Sequence, residues 1–396
     1  MDRVDAPESL RSQVTVTQER SLRALFSSGK KKPDKRHKHI RVAFFRYCYY
    51  DPAFKFFVEQ VLNAEYLPLP PATRRTDEIG TQNSTDYVCT PFKHILGDFA
   101  DALEAGANVI VQFGGPCRLG YYGELQESIL HDMGYDDFRM LNFSRGLEGS
   151  AAVAWAKECL KQVNPDINVP KAALRLIPLA NMTTKLDAAM DFYLANAGFE
   201  VEPGSFDRAW EAFMDDMRTA TDDKAVNEVY ARAMNRFRSL PLSKPADPIR
   251  IGIVGEMFTA IDARANLGLD HKLLAMGVEL HRMMNLTNRF VRYNEGNLRL
   301  SASEYIRYDM GPTSTLTIVA AKRYAEEGFD GIVHAKSAGC TPEIDCEPVL
   351  QRIAQDHSIP ILYLTYDAQT SDTGLDTRLE AFYDMLAMKK QKGSRL

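Results

Sequence analysis

"PFKHILGDFADALEAGANVIVQFGG", Pro91–Gly115, contains a helix, a strand and the switch between them. Phe92, Ile95, Leu96, Phe99 and Leu103 recur at helical spacing as one apolar stripe, and Gly106 lies just past its end. "NVIVQFGG" (Asn108–Gly115) then runs apolar with no helical spacing and reads as a buried strand. A helix that feeds directly into a buried strand is the repeating unit of a parallel α/β sheet.

The same alternation extends outward. "IRVAFFRY" (Ile40–Tyr47) and "FRMLNF" (Phe138–Phe143) read as further strands, and "AFKFFVEQVLNA" after Asp51-Pro52 reads as a helix. From Gly149 to Ser243 the pattern is helical throughout, as in "AAVAWAKECLKQV" and "EVYARAMNRFRSL". The three prolines of "PLSKPADP" (Pro241–Pro248) mark a boundary, after which strands recur at "IRIGIVGE" (Ile249–Glu256), "GIVHAK" (Gly331–Lys336) and "IPILYLTYD" (Ile359–Asp367). No short-period repeat stands out. The expected organisation is a disordered basic tail over 1–38, an N-terminal α/β lobe over 39–148, a helical middle segment over 149–245 and a C-terminal α/β lobe over 246–396.

Composition narrows the function classes. The chain of 396 residues is 45% hydrophobic and 26% charged, and its net charge of −5 gives no reason to expect a nucleic-acid binder. Residues 1–38 carry ten Lys/Arg against five Asp/Glu, concentrated in "KKKPDKRHKH" (Lys30–His39), a solvated tail or a phosphate- or membrane-surface patch. No stretch approaches the apolar length of a membrane span, and the N-terminus lacks the apolar core of a secretory signal. The expectation is a soluble cytoplasmic protein. In that reducing compartment its six cysteines point to metal ligation, redox chemistry or burial rather than to disulfides.

The cysteines follow the strands. Cys48 directly follows the first strand, Cys117 the Asn108–Gly115 strand, and Cys340 the Gly331–Lys336 strand. Ligands of parallel sheets bind at the carboxyl ends of strands, so three thiols placed there, from both lobes, predict a cleft between the lobes. Cys89 in "DYVCTPFK" (Asp86–Lys93) and Cys340 in "AGCTPEIDC" (Ala338–Cys346) both precede Thr-Pro. Thr90 is expected to cap the helix and Pro91 to open it, leaving Cys89 at a helix start whose partial positive charge favours thiolate. Cys159, inside a predicted helix, reads as a buried small residue. With no C-x2-C pair and no zinc-finger histidine spacing, dispersed thiolates fit an iron–sulfur cluster at least as well as zinc.

With these residues in view, the chain resembles the 2-hydroxyglutaryl-CoA dehydratase component family, and within it the acyl-CoA dehydratase activase-related proteins. The resemblance is carried by "VCTPFKHILGDFADALEAGANVI", "GGPCRLGYYGELQESILHDMGY", "IGIVGEMF", "GPTSTLTI", "GFDGIVHAKSAGCTPEID" and "IPILYLTYDAQTSDTGLDTRLEAFYDML", in order from about Ile40 to the C-terminus. It implies two Rossmann/flavodoxin-like parallel-sheet lobes with an oxygen-sensitive iron–sulfur cluster in the cleft between them. The ligands carried over are Cys89, Cys117 and Cys340. Cys48 and Cys346 are extra thiols that would complete a four-cysteine [4Fe-4S] site, serve a double-cubane cluster, or do neither. The resemblance further implies a partner ATPase of the sugar-kinase fold that delivers low-potential electrons, an acyl-CoA substrate, and a homo- or heterodimer. The chain itself lacks a Walker A sequence and the phosphate-binding pattern of such activators.

Smaller motifs leave alternatives open. "GPTSTLTIVAAKRYAEEG" (Gly311–Gly328) offers hydroxyls and a helix start to a phosphate, or ordinary capping by Thr313 or Ser314. Arg378, in "TSDTGLDTRLEAF" (Thr370–Phe382), holds a carboxylate or phosphate, or a salt bridge from loop to helix. Lys93 and Arg118 flank the proposed ligands, and His94 is expected on the exposed side of its helix. No acid–base residue is legible from spacing.

Overall fold

Among the described residues the strands pair in parallel and form two sheets of four, ordered β2-β1-β3-β4 and β6-β5-β7-β8. The computed structural model describes residues 39–113, 122–143, 149–308, 310–367, 370 and 372–393. The expected basic tail lies outside these residues. Ile40–Leu396 forms one compact unit.

The first sheet comprises β1 (Arg41–Phe44), β2 (Glu65–Tyr66), β3 (Val109–Gln112) and β4 (Arg139–Asn142). Helix α1 (Asp51–Phe56), continued by a π-helical turn over Phe57–Leu62, links β1 to β2. Helices α2 (Arg74–Gln82) and α3 (Thr90–Glu104) link β2 to β3, and α4 (Tyr122–Asp132) precedes β4. The α3 stripe behaves as its spacing predicts: Phe92, Ile95, Leu96 and Phe99 are buried. Helices α5 (Gly149–Val163), α6 (Val169–Asn196), α7 (Ser205–Thr219) and α8 (Asp223–Ser239) make the helical middle.

The second sheet repeats the first in its strand order. It comprises β5 (Arg250–Gly255), β6 (Glu279–Arg282), β7 (Gly331–Ser337) and β8 (Ile361–Tyr366). Between and after these strands lie α9 (Leu269–Leu274), α10 (Glu295–Ser301), α11 (Pro312–Glu326), α12 (Thr341–His357) and α13 (Asp372–Gly393). Among the described residues no helix is long and apolar enough to cross a membrane.

Two buried carboxylates tie these parts together. Asp98 of α3 accepts from the Arg46 backbone at 2.8 Å and pairs with Arg264 of the second lobe at 2.8 Å. Asp187 of α6 accepts from the Tyr49 and Tyr50 hydroxyls of the first lobe at 2.9 and 2.6 Å, and from Thr287 N of the second at 2.8 Å. Burial pushes both carboxyls up from their ordinary range, while these donors pull them down.

Candidate functional site

Cys89 and Cys340 meet between the lobes. Each is the extended N-cap residue of a long helix, Cys89 of α3 and Cys340 of α12, with proline in the first turn and no side-chain cap to the helix. Thr90 is therefore the first helical residue of α3 rather than its cap, and its side chain reaches the other lobe. Thr90 N donates to Ser337 Oγ at 2.8 Å, and Thr90 Oγ1 donates to the Tyr366 carbonyl at 3.4 Å. A Cβ on Gly339 would stand 2.8 Å from the Tyr87 carbonyl oxygen and 3.3 Å from Cys89 Cα, so only glycine lets the two helix starts approach this closely.

The two Cys-Thr-Pro steps are not counterparts in the repeated topology. Cys89 opens the helix before the third strand of its sheet, whereas Cys340 opens the helix after the third strand of the other. The counterpart of Cys340 in the first lobe is the segment between β3 and α4, which carries Cys117 and Arg118 and lies outside the described residues.

Both thiols line a cavity, partly open to solvent, at the carboxyl ends of both sheets. Its wall includes Phe45, Phe113 and Phe258, with Phe45 stacked on Phe113 at 5.1 Å between ring centroids. Phe290 stands at the mouth, 62% exposed. Tyr122, on the first residue of α4, lies 2.5 Å from Cys89 Sγ through its hydroxyl.

The electrostatics of the lining are one-sided. Glu256 follows β5, and its carboxylate accepts from Phe258 N and Thr259 N, each at 2.7 Å. Burial outweighs these donors and pushes its carboxyl up to about 7. Burial also pushes the Cys340 thiol up, and the charges of Glu256 and Glu343 add to the effect. Among the described residues no Lys, Arg or His lines the cavity to offset them. A bound metal centre would reverse this balance, because a coordinating cation deprotonates the thiol it binds. Beneath the cavity, Glu343 of α12 is fully buried, 2.9 Å from His334 Nε2 and within 3.2 Å of Thr317 Oγ1.

The remaining thiols lie elsewhere. Cys48 keeps exposed surface in a left-handed turn (φ 47°), but its Sγ donates to the Ile261 carbonyl at 3.2 Å. Cys346 is buried in α12, where its Sγ donates to the Pro342 carbonyl at 3.2 Å. Desolvation pushes both thiols up, and neither lines the cavity. Cys159 is buried in α5. Among the described residues no three His, Cys, Asp or Glu side chains converge to hold a metal ion, and the third predicted ligand, Cys117, is not one of those residues.

Several smaller expectations are corrected. The His94 side chain is only 13% exposed and meets Asp77 at 2.8 Å, because α2 covers that face of α3. Lys93 reaches the Asp86 carbonyl at 3.4 Å. Neither Thr313 nor Ser314 caps α11: Gly311 is the cap residue, and Ser314 Oγ donates to the Pro342 carbonyl at 2.8 Å. Arg378 makes no carboxylate pair among the described residues, and donates instead to the Tyr363 carbonyl at 2.5 Å. The aromatic wall, Tyr122 and Glu256 escape sequence reading because they come from separate strand ends and, for Tyr122, a helix start. The one signal that could have found Glu256 is its place directly after the "IGIVG" strand. No protein-family model and no curated protein matches this chain.

Proposed function

We propose that this chain is the iron–sulfur component of an ATP-dependent, low-potential electron-transfer system in the cytoplasm, acting as or with a 2-hydroxyacyl-CoA dehydratase or reductase. The observation that supports it most is the convergence of Cys89 and Cys340, each at a helix start of a different lobe, on one cavity that has no basic side chain among the described residues. Two thiols at the carboxyl side of the sheets, an aromatic wall, and no cation among the described lining residues support a cluster there.

Cys89 and Cys340, with Cys117, would hold the cluster, a [4Fe-4S] cubane with one iron left for substrate or a non-cysteine ligand. Such a cluster supplies one-electron transfer at low potential, fed by a partner ATPase of the sugar-kinase fold. Tyr122 would donate a hydrogen bond to the Cys89 sulfur. Glu256, with its carboxyl near neutrality, is the group in the lining suited to hold or release a proton beside a substrate. Phe45, Phe113 and Phe258 shield the thiols from water.

The test is iron and acid-labile sulfide per chain after anaerobic purification, for the wild type and for Cys89→Ala, Cys117→Ala and Cys340→Ala. About four irons per chain, lost in each variant, support the proposal, and a spectral change on adding an acyl-CoA supports the dehydratase or reductase role over the carrier. Absence of iron in the wild type under those conditions sinks it.

A further inference from the structure

Tyr47, Tyr49 and Tyr50 are buried between β1 and α1, and their rings lead from the interlobe cavity to the helical middle. Tyr47 lines the cavity together with Cys89 and Cys340. It stacks on Tyr50 at 5.4 Å between ring centroids, Tyr50 meets Tyr49 at 4.5 Å, and Tyr49 meets Trp210 of α7 edge-on at 5.7 Å. Each step is within contact range for aromatic rings. Trp210 ends the series half-buried, with part of its indole open to solvent.

Core packing alone does not account for this series. Phenylalanine at all three positions would fill nearly the same space and bury no hydroxyl. The Tyr49 and Tyr50 hydroxyls instead donate to one proton acceptor, Asp187 Oδ1, at 2.9 and 2.6 Å. Burial raises the Asp187 carboxyl, which readies it to take a proton. Tyr47 donates to the Met257 carbonyl at 3.2 Å, and a carbonyl cannot hold that proton. A phenol gives up an electron far more easily when its proton has a base to go to. Tyr50 and Tyr49 are therefore the oxidisable members, and Tyr47 is the ring that joins them to the cavity.

We propose that Tyr47, Tyr50, Tyr49 and Trp210 form a path along which an oxidising equivalent leaves the thiol cavity for the surface. The oxidant is an oxygen-derived radical in the cavity, of the kind that would otherwise oxidise Cys89 or Cys340. It takes one electron from Tyr50 through the Tyr47 ring and a proton from solvent, while the Tyr50 phenolic proton passes to Asp187. Tyr49 then reduces Tyr50: Asp187 returns the proton to Tyr50 and receives that of Tyr49. Trp210 reduces Tyr49 in turn, Asp187 gives the proton back, and the indole proton goes to water. A small-molecule thiol in solution restores Trp210 by supplying one electron and one proton.

The path exists with or without a cluster, so it is tested on the full-length, metal-free chain. A ruthenium polypyridyl photo-oxidant is coupled to Cys340, with the other cysteines changed to serine and Trp155→Phe leaving Trp210 as the one indole. Melting temperatures first show that each variant folds. Flash oxidation of the label is followed by absorption, which separates phenoxyl from indolyl radicals. The expected result is an indolyl radical that is absent from Trp210→Phe, lost in Tyr49→Phe and in Tyr50→Phe, and retained in Tyr193→Phe. Tyr193 is the control because it also meets Trp210, at 5.8 Å, but stands outside the series. Either of the Tyr49 and Tyr50 variants breaks the path alone, so one that folds suffices. No indolyl radical, or an equal yield in Tyr49→Phe or Tyr50→Phe, overturns the proposal. A phenoxyl radical alone overturns it too, because the oxidising equivalent then stops short of the surface. Because iron content is not read, this result stands apart from the cluster test.

Discussion

Glu256 accepts two backbone hydrogen bonds, which ordinarily hold a carboxyl low, yet desolvation carries it from the usual 4.5 to about 7. The sign of the consequence follows from which state holds the proton more tightly. Below pH 4.5 both folded and unfolded chains keep it, and Glu256 costs nothing. Between 4.5 and 7 the unfolded chain releases the proton first, so stability falls as pH rises, and above 7 the loss is constant. The shift corresponds to about 3 kcal/mol. Denaturant melts of the metal-free protein at pH 5 and pH 8 should show this decline, and Glu256→Gln should remove most of it whatever its effect on absolute stability. An equal decline in the variant would place the pH dependence in another group. In the loaded protein the same substitution should lower turnover while leaving iron content unchanged, measured side by side.

At the level of elements, the position of Cys89 is set by how closely α2 and α3 cross. A Cβ on Gly80 would stand 1.9 Å from the Lys93 carbonyl oxygen, and one on Gly97 would stand 2.1 Å from that of Thr76. Gly80→Ala should therefore pry the helices apart at a cost of about 1–3 kcal/mol, read by denaturant melting. Gly339→Ala tests the interlobe contact instead. It should reduce iron per chain while every thiol still titrates with a thiol reagent, and full iron in this variant would mean that the close approach does not position the ligands. The sequence made legible the strands that sit inside the sheets. β1, β3, β5 and β7 are buried on both faces and read as apolar runs, and β8 reads the same way. It did not reveal β2 or β6: Glu65–Tyr66 is too short to show a pattern, and Glu279–Arg282 ("ELHR") is a polar edge strand. Cys89 and Cys340 were legible because each combines a thiol with a helix-start signal. Tyr122 and Glu256 carry no such local mark, and only the tertiary fold brings them to the thiols.

For the whole molecule, Asp187 is the point where the helical middle meets both lobes. Asp187→Ala would leave the Tyr49 and Tyr50 hydroxyls and Thr287 N without their acceptor, at a cost of about 3 kcal/mol or more. Because Tyr50 also accepts from Leu286 N at 3.0 Å, and Leu286 lines the cavity, the loss should reach the site as well. The expected result is a lower denaturation midpoint together with greater quenching of cavity tyrosine fluorescence by acrylamide. A midpoint equal to the wild type would show that the three-way joint contributes little. The meeting of Cys89 with Cys340 also imposes an order on biosynthesis. At a synthesis rate of about 5–20 residues per second, the second Cys-Thr-Pro step leaves the ribosome tens of seconds after the first. Until β7 and α12 exist, Cys89 has no opposite wall. A slow translation of the C-terminal lobe would lengthen the interval in which one half of the site stands without the other.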